Sequence, residues 1–122
     1  SPDAVLLNPL RPEGAPEKEL IFQYQFFANQ EDLMRQPRET SSQGRVTLTA
    51  VKAIELLLAQ IQKDSPECVV NKCDLKDFLV SPSMKIEFYL ISCRAGGSDL
   101  HRIVFMDGSI LTPKLVRLEK NP

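Results

Sequence analysis

A histidine, an aspartate and a serine lie close together near the end of the chain. His101, Asp107 and Ser109 stand in the stretch LHRIVFMDGSI, and His101 is the only histidine. A nucleophile, a general base and a group that orients the base are what hydrolytic catalysis requires. The same stretch also has the pattern of a β-hairpin, because Asp-Gly lies between two apolar runs, RIVFM and SILT.

The hairpin interpretation separates these polar residues. Asp-Gly suits a two-residue type I′ turn, which predicts a register in which Val104 faces Leu111. His101 then lies six residues before the turn, about 20 Å along the strand from Asp107. No second histidine is present to take its place. We therefore predict a hairpin and no catalytic residues, and we do not expect the chain to be an enzyme.

Composition and charge set the class of protein. The chain has 122 residues, of which 43% are hydrophobic and 25% charged, and this is typical of one globular domain. Its net charge of −1 gives no overall field that would attract nucleic acid or an anionic membrane. No apolar run approaches the roughly 18 residues of a membrane span. We expect no membrane partner, and we do not expect nucleic-acid binding as the main function.

The cysteines give no sign of a metal site. Cys68, Cys73 and Cys93 are odd in number and irregular in spacing, which favours reduced thiols in an intracellular protein of the cytoplasm or nucleus. A structural zinc site needs four ligands at close spacing, and only His101 accompanies the thiols. We expect no metal and no other cofactor. Because the sequence begins at Ser1 and not at methionine, we interpret it as a piece of a larger protein.

The first residues predict an extended arm. Residues 1–16 contain four prolines and one glycine, which exclude a helix. Val5, Leu6 and Leu7 make this arm too apolar for a free tail. They are predicted to contact either the domain's own surface or another chain, and we favour the first interpretation.

Residues 17–122 are predicted to form a single α+β domain. A stripe of apolar residues predicts a helix over 49–63 with Thr47 or Thr49 as a possible cap, and a helical turn capped by Asn29 is predicted before Pro37. Alternating apolar residues predict strands over 19–27, 67–80, 84–93, 100–106 and 109–112. The predicted fold is one long helix packed on a curved antiparallel sheet of four to five strands, in the order β-α-β-β-β.

One helix about 10 Å wide cannot cover both faces of a four-stranded sheet roughly 19 Å wide. We assign to the helix-covered face Met84, Ile86, Phe88, Ile103, Phe105 and Ile110. The opposite face is predicted to be either open or covered by the arm or another part of the protein. If open, it is an interface formed by Tyr89, Ile91, Val104, Met106, Leu111, Lys85 and Arg102.

The expected function is a non-catalytic protein–protein interaction module. It would act through homodimerisation or through another protein chain, on the open sheet face or on an edge strand after Pro113. The alternative is a small cone-shaped ligand-binding domain or enzyme, with a pocket that holds His101, Tyr24 and Asp77. A minor alternative is a sheet that binds single-stranded nucleic acid through Tyr89 and neighbouring basic residues.

Overall fold

The computed structural model describes residues 4–7, 22–37 and 47–117. Its elements in chain order are β1 Ala4–Leu7, β2 Phe22–Asn29, α1 Gln30–Met34, α2 Ala50–Ile61, β3 Val69–Ser81, β4 Met84–Ala95, β5 Ser98–Phe105, β6 Ile110–Leu111 and β7 Lys114–Arg117. The strands form two antiparallel sheets. The larger sheet has the order β3-β4-β5-β6, and the smaller has the order β1-β2-β7.

The predicted α+β fold, with one long helix on a single sheet, is wrong. Strands hold 56% of the described residues, and both helices are short. The strand predicted over 19–27 does not join the larger sheet, because β2 pairs with β1 on one side and with β7 on the other. These partners lie far from β2 in the sequence, so the local alternation of apolar residues carries no information about them.

The central strand β4 requires two covering layers. Phe88, Tyr89, Leu90 and Ile91 are consecutive and all buried, which is typical of a strand covered on both faces. One face packs against β1, β2 and α1 in a cluster that includes Leu7, Phe26, Ala28, Leu33, Met84, Ile86, Phe88 and Leu90. The other face packs against α2 in a cluster that includes Ala53, Leu57, Tyr89, Ile91, Cys93 and Val104.

Side-chain caps start both helices. The Thr49 side chain accepts a hydrogen bond from the Lys52 backbone N–H at 3.2 Å, at the start of α2. Asn29 Oδ1 accepts from the Glu31 N–H at 2.8 Å, at the start of α1. Each cap satisfies an N–H group that has no partner inside the helix. The two predicted helical segments are therefore confirmed, although α2 is shorter than expected.

The hairpin turn between β5 and β6 contains three residues and not two. The Phe105 N–H donates to the Ser109 carbonyl oxygen, and the Gly108 N–H donates to the Phe105 carbonyl oxygen, each at 2.9 Å. Within the turn only Gly108 has a positive φ, 88°. A type I turn followed by a glycine in the left-handed region gives this geometry.

The additional turn residue shifts the strand register by one position. Val104 faces Ile110, so the predicted pairing of Val104 with Leu111 is wrong. Alternate residues of a strand point to opposite faces, and the shift therefore exchanges two side chains between faces. Ile110 packs on the α2 side of the sheet, whereas Leu111 packs on the side of the smaller sheet.

We expect Tyr89→Phe to lower the free energy of unfolding by about 1 kcal/mol, the net contribution of one hydrogen bond. Tyr89 Oη donates to the Leu48 carbonyl oxygen at 2.6 Å and fastens the segment before α2 to β4. Urea denaturation measures the change. Tyr24→Phe is the matched control, since the Tyr24 side chain is exposed on the smaller sheet. Equal stability of wild type and Tyr89→Phe would contradict this assignment.

Candidate functional site

His101 lies near the middle of β5, four residues before the strand ends at the hairpin turn. It faces Ser92 of β4, and Ser92 Oγ lies 3.0 Å from His101 Nδ1. Asp107 Oδ1 instead accepts hydrogen bonds from the Ser109 N–H and Oγ, at 2.9 and 2.6 Å. The structure therefore gives His101 and Asp107 separate partners.

The contact between Ser92 and His101 joins a potential nucleophile to a potential base. A hydrolytic site also needs a group that orients the base and free N–H groups that stabilise an oxyanion. The carboxylate of Asp99, two residues before His101, pairs with Arg94 at 3.4 Å. Ser92 lies within β4, whose backbone is bonded to β3 on one side and to β5 on the other. The Ser92–His101 contact therefore links two neighbouring strands of the larger sheet.

The polar residues expected to line a pocket are not brought together. His101 lies on β5, and Tyr24 lies on the smaller sheet with its side chain 52% exposed. Asp77 of β3 forms an ion pair with Lys85 at 3.1 Å. Each of the three lies on a different strand, and none of the hydrogen bonds or ion pairs found between described residues joins them.

The sheet face predicted to be open is covered by α2. Four of its five apolar interface residues are buried: Tyr89, Ile91, Val104 and Met106. They pack in one cluster with Ala53 and Leu57 of α2. The face assignment was therefore reversed, because α2 covers the residues that had been assigned to the open face.

The other three predicted interface residues are not members of that cluster, although Arg102 pairs with Ile91 beside it. Leu111 is half-buried and packs on the opposite side of the sheet. Lys85 is exposed beside Asp77, and Arg102 Nη1 donates to the His101 carbonyl oxygen at 2.8 Å. The seven residues therefore do not form one surface.

Part of the arm lies on the second face of the larger sheet. β1 pairs with β2, and Leu7 is fully buried, with Val5 packed against the same cluster. Leu6 points the other way and is exposed. The described arm residues thus contact their own chain, and residues 1–3 and 8–16 of the predicted arm lie outside the described residues.

Two of the cysteines are buried together beneath α2. Cys68 and Cys93 belong to the same cluster, and burial, together with the neighbouring Cys68 thiol, raises the pKa of Cys93 to about 11. Burial and the charge of Asp74 also raise the pKa of Cys73. The Cys93 thiol is therefore protonated at neutral pH, and the two buried cysteines pack as apolar groups. No group of three or more metal-ligating side chains is found among the described residues.

Gln36 links α1 to the hairpin turn. Its Nε2 donates to Asp107 Oδ2 at 3.0 Å, and its Oε1 accepts from the Asp107 N–H at 3.4 Å. Gln36 is the buried polar residue of the described core. Partial burial opposes ionisation of Asp107, but hydrogen bonds from Ser109 and Gln36 lower the pKa of its carboxyl group. The Gln36–Asp107 contact holds the end of α1 against the β5–β6 turn of the larger sheet.

The longest edge of the larger sheet is β3. This strand has 13 residues and pairs with β4 from Val69 to Ser81, and no described strand pairs with its outer side. Irregularities in register lie near both ends, and the pairing is regular over residues 72–79. We refer to the outer side of residues 72–79 as the β3 edge. Its backbone N–H and C=O groups are a template for an added strand.

Apolar side chains are exposed along the β3 edge. Leu75 pairs with Tyr89, and Leu79 lies four residues further on, so both point to the α2 side of the sheet. They are 46% and 63% exposed, and Val51 of α2 is 67% exposed. The exposure of these three was not predicted from the sequence, because it depends on which strand lies at the edge.

The position of Val51 follows from the rotation of α2. Leu56 Cδ1 lies 3.5 Å from the point that a Cβ would occupy at Gly108, so the Leu56 flank faces the β5–β6 turn. At 100° per residue, Val51, Ile54 and Leu58 lie on the opposite flank. Since α2 lies over β3 and β4, this second flank faces β3.

A second exposed apolar group lies on the smaller sheet. Tyr24 faces Leu115, and Phe22 lies on the same side of β2. β7 is an edge strand among the described residues, as Pro113 indicated, but it has only four residues. It offers an added strand far fewer backbone groups than β3 does.

No protein-family model matches the chain, and comparisons with curated proteins and with solved structures give no match either. The helices in the described part of the chain are too short to cross a membrane. What the chain does must therefore be inferred from its own residues.

We expect the free energy of unfolding to fall as the pH decreases below the ordinary carboxyl pKa of 3.8 and through the lowered pKa of Asp107. The folded state holds the Asp107 carboxylate in its ionised form, so its contribution is complete above that range and is lost upon protonation. Urea denaturation between pH 6 and pH 2 measures this dependence for wild type and for Asp107→Asn, in which it should be shallower. Asp64→Asn, at an exposed site, is the control. Identical pH profiles for wild type and Asp107→Asn would contradict the prediction.

Proposed function

We propose that the chain is a non-catalytic protein-interaction module whose β3 edge accepts an extended strand from another protein chain. The observation that carries this proposal is a 13-residue edge strand whose outer side pairs with no other described strand. In strand addition, main-chain hydrogen bonds provide affinity and alternate side chains provide specificity. The β3 edge offers both.

The two sides of the β3 edge differ in chemistry. On the α2 side, Leu75 and Leu79 offer exposed apolar contacts to the side chains of an added strand. On the opposite side, Lys72, Asp74 and Lys76 place charges at every second position. Cross-strand pairs of opposite charge are favourable, whereas pairs of like charge are not. An added strand would therefore gain apolar contact on one side, and its register would be selected on the other.

The edge is favoured over the faces of the sheet because both faces are covered within the chain. α2 lies on one face, and the smaller sheet with α1 lies on the other. A pocket between helix and sheet has less support, since Ala53 and Leu57 pack with Tyr89 and Val104 in that space.

We expect random displayed peptides selected against the immobilised chain to alternate apolar and polar residues and to bind Leu75→Lys at least tenfold more weakly than wild type. An ammonium group at this position would lie beside the apolar side chains of an added strand, as in natural edges that resist pairing. Immobilising the chain at low surface density keeps its copies apart, so that the β3 edge stays accessible to the peptides. Titration of each selected peptide against both proteins gives the affinities.

Leu115→Lys is the matched control, because Leu115 lies on the edge strand β7 and is 57% exposed. It should leave peptide binding unchanged. Thermal melting of both variants checks that each is folded. Selected peptides that bind folded Leu75→Lys as tightly as wild type would refute the proposal.

A further inference from the structure

Asp74 and Lys76 flank Leu75 on β3, so an antiparallel copy of β3 centred on Leu75 places opposite charges across from each other. We infer that the β3 edge pairs with the β3 edge of a second copy of this chain, in a twofold dimer centred on Leu75. The inference rests on the proposed function and names its partner. The register, the charges and the position of α2 each bear on it.

Strand geometry limits the registers of such a dimer. Side chains directly opposite each other in an antiparallel pair lie on the same face, so the twofold axis must pass through a residue pair and not between pairs. Within the regular stretch 72–79, two registers join seven residues of each copy. One is centred on Leu75 and uses residues 72–78, and the other is centred on Lys76 and uses residues 73–79.

The charges distinguish these two registers. Centring on Lys76 places the two Lys76 side chains opposite each other, with Cβ atoms about 5 Å apart, which is unfavourable. Centring on Leu75 places Lys76 of each copy opposite Asp74 of the other. It also places the two Leu75 side chains opposite each other. Charge complementarity therefore selects the Leu75 register.

The ion pairs within the chain are compatible with this register. Asp74 lies 3.4 Å from Lys72. None of the ion pairs between described residues includes Lys76. In the dimer, each Asp74 carboxylate would lie between Lys72 of its own copy and Lys76 of the second copy. Each Asp74 would thus have two lysines beside it, and the dimer would contain two such groups of three charges on the same side of the paired strands.

The same register brings the two α2 helices together. α2 lies over β3 and β4, and adjacent strands are about 4.8 Å apart, so α2 and its twofold mate would lie roughly 10 Å apart. This is the spacing of packed helices. The flank turned toward the axis carries Val51, Ile54 and Leu58. The dimer would therefore bury Val51 and Leu75 on the side of the sheet opposite Asp74 and Lys76.

Light scattering across a concentration series, with charge reversals in the full chain, tests the inference. We expect wild type to dimerise and Asp74→Lys and Lys76→Asp each to weaken self-association at least tenfold, because each change places like charges opposite one another. In an equimolar mixture, each variant supplies the charge that the other lacks, so heterodimers should form with nearly the wild-type affinity. The double variant D74K/K76D should also dimerise. Asp99→Lys on β5 is the control, and thermal melting checks the fold of every variant.

The possible outcomes separate the inference from the proposed function. A wild-type monomer at every concentration, with peptide binding that still depends on Leu75, overturns the second-copy inference and leaves the β3 edge as the site of a different protein. A dimer that Leu75→Lys disrupts but that neither charge reversal weakens overturns the Leu75 register. A dimer unaffected by Leu75→Lys and by the charge reversals, in the absence of Leu75-dependent peptides, overturns both proposals.

Discussion

Four consecutive side chains of β4, from Phe88 to Ile91, are buried alternately against two different layers. Apolar groups on both faces of a strand gain from burial only if each face is covered, and a single short helix covers one. The second cover comes from β1, β2 and α1, in which Leu7, Phe26 and Leu33 are fully buried. β1 is therefore part of the core of the chain, although it has only four residues. Because both faces of the larger sheet are covered, its edges remain as the surfaces where a partner could bind.

The hairpin turn after β5 is where the layers meet. Gln36 connects it to α1, and Leu56 of α2 approaches Gly108 from the other side of the sheet. A Cβ at Gly108 would contact the Leu56 side chain, and its φ of 88° is a conformation that other residues adopt at a cost. Asp107, whose neighbours suggested chemistry in the sequence, here accepts the hydrogen bonds that close the turn. Its role is to position the two helices relative to β5.

Local features of the fold could be predicted from the sequence, and features set by distant pairing could not. The helical segments after Asn29 and Thr49 were predicted because caps and periodicity are local signals. The two apolar faces of β4 were recognised, but which layer covers each face depends on contacts that no local pattern records. The turn shows the limit clearly: Asp-Gly fits a two-residue loop as well as the end of a three-residue loop. The one-residue difference exchanged Ile110 and Leu111 between the faces.

The candidate site was missed for the same reason. Residues 72–76 alternate charged and apolar side chains, and the same pattern would suit an inner strand with one exposed face. Their significance arises only because the larger sheet ends at β3, which the sequence order of the strands does not determine. The predicted arrangement of one helix on one sheet does not apply to this chain. The smaller sheet and α1 cover the second face of the larger sheet. A partner chain would therefore have to pair with an edge strand.

The two edges of the larger sheet are protected very differently. β6 has only two residues, and the chain then passes through Pro113 into the smaller sheet, so that edge offers little backbone for pairing. β3 is long, and its charges alternate in sign, so they deter a random strand less than a row of lysines would. Pairing β3 with its own copy would place both long edges inside one eight-stranded sheet and leave the two-residue β6 strands outermost. Pairing of Asp74 with Lys76 about Leu75 would therefore protect the long β3 edge. The two faces of the sheet need no such protection, because they are already covered.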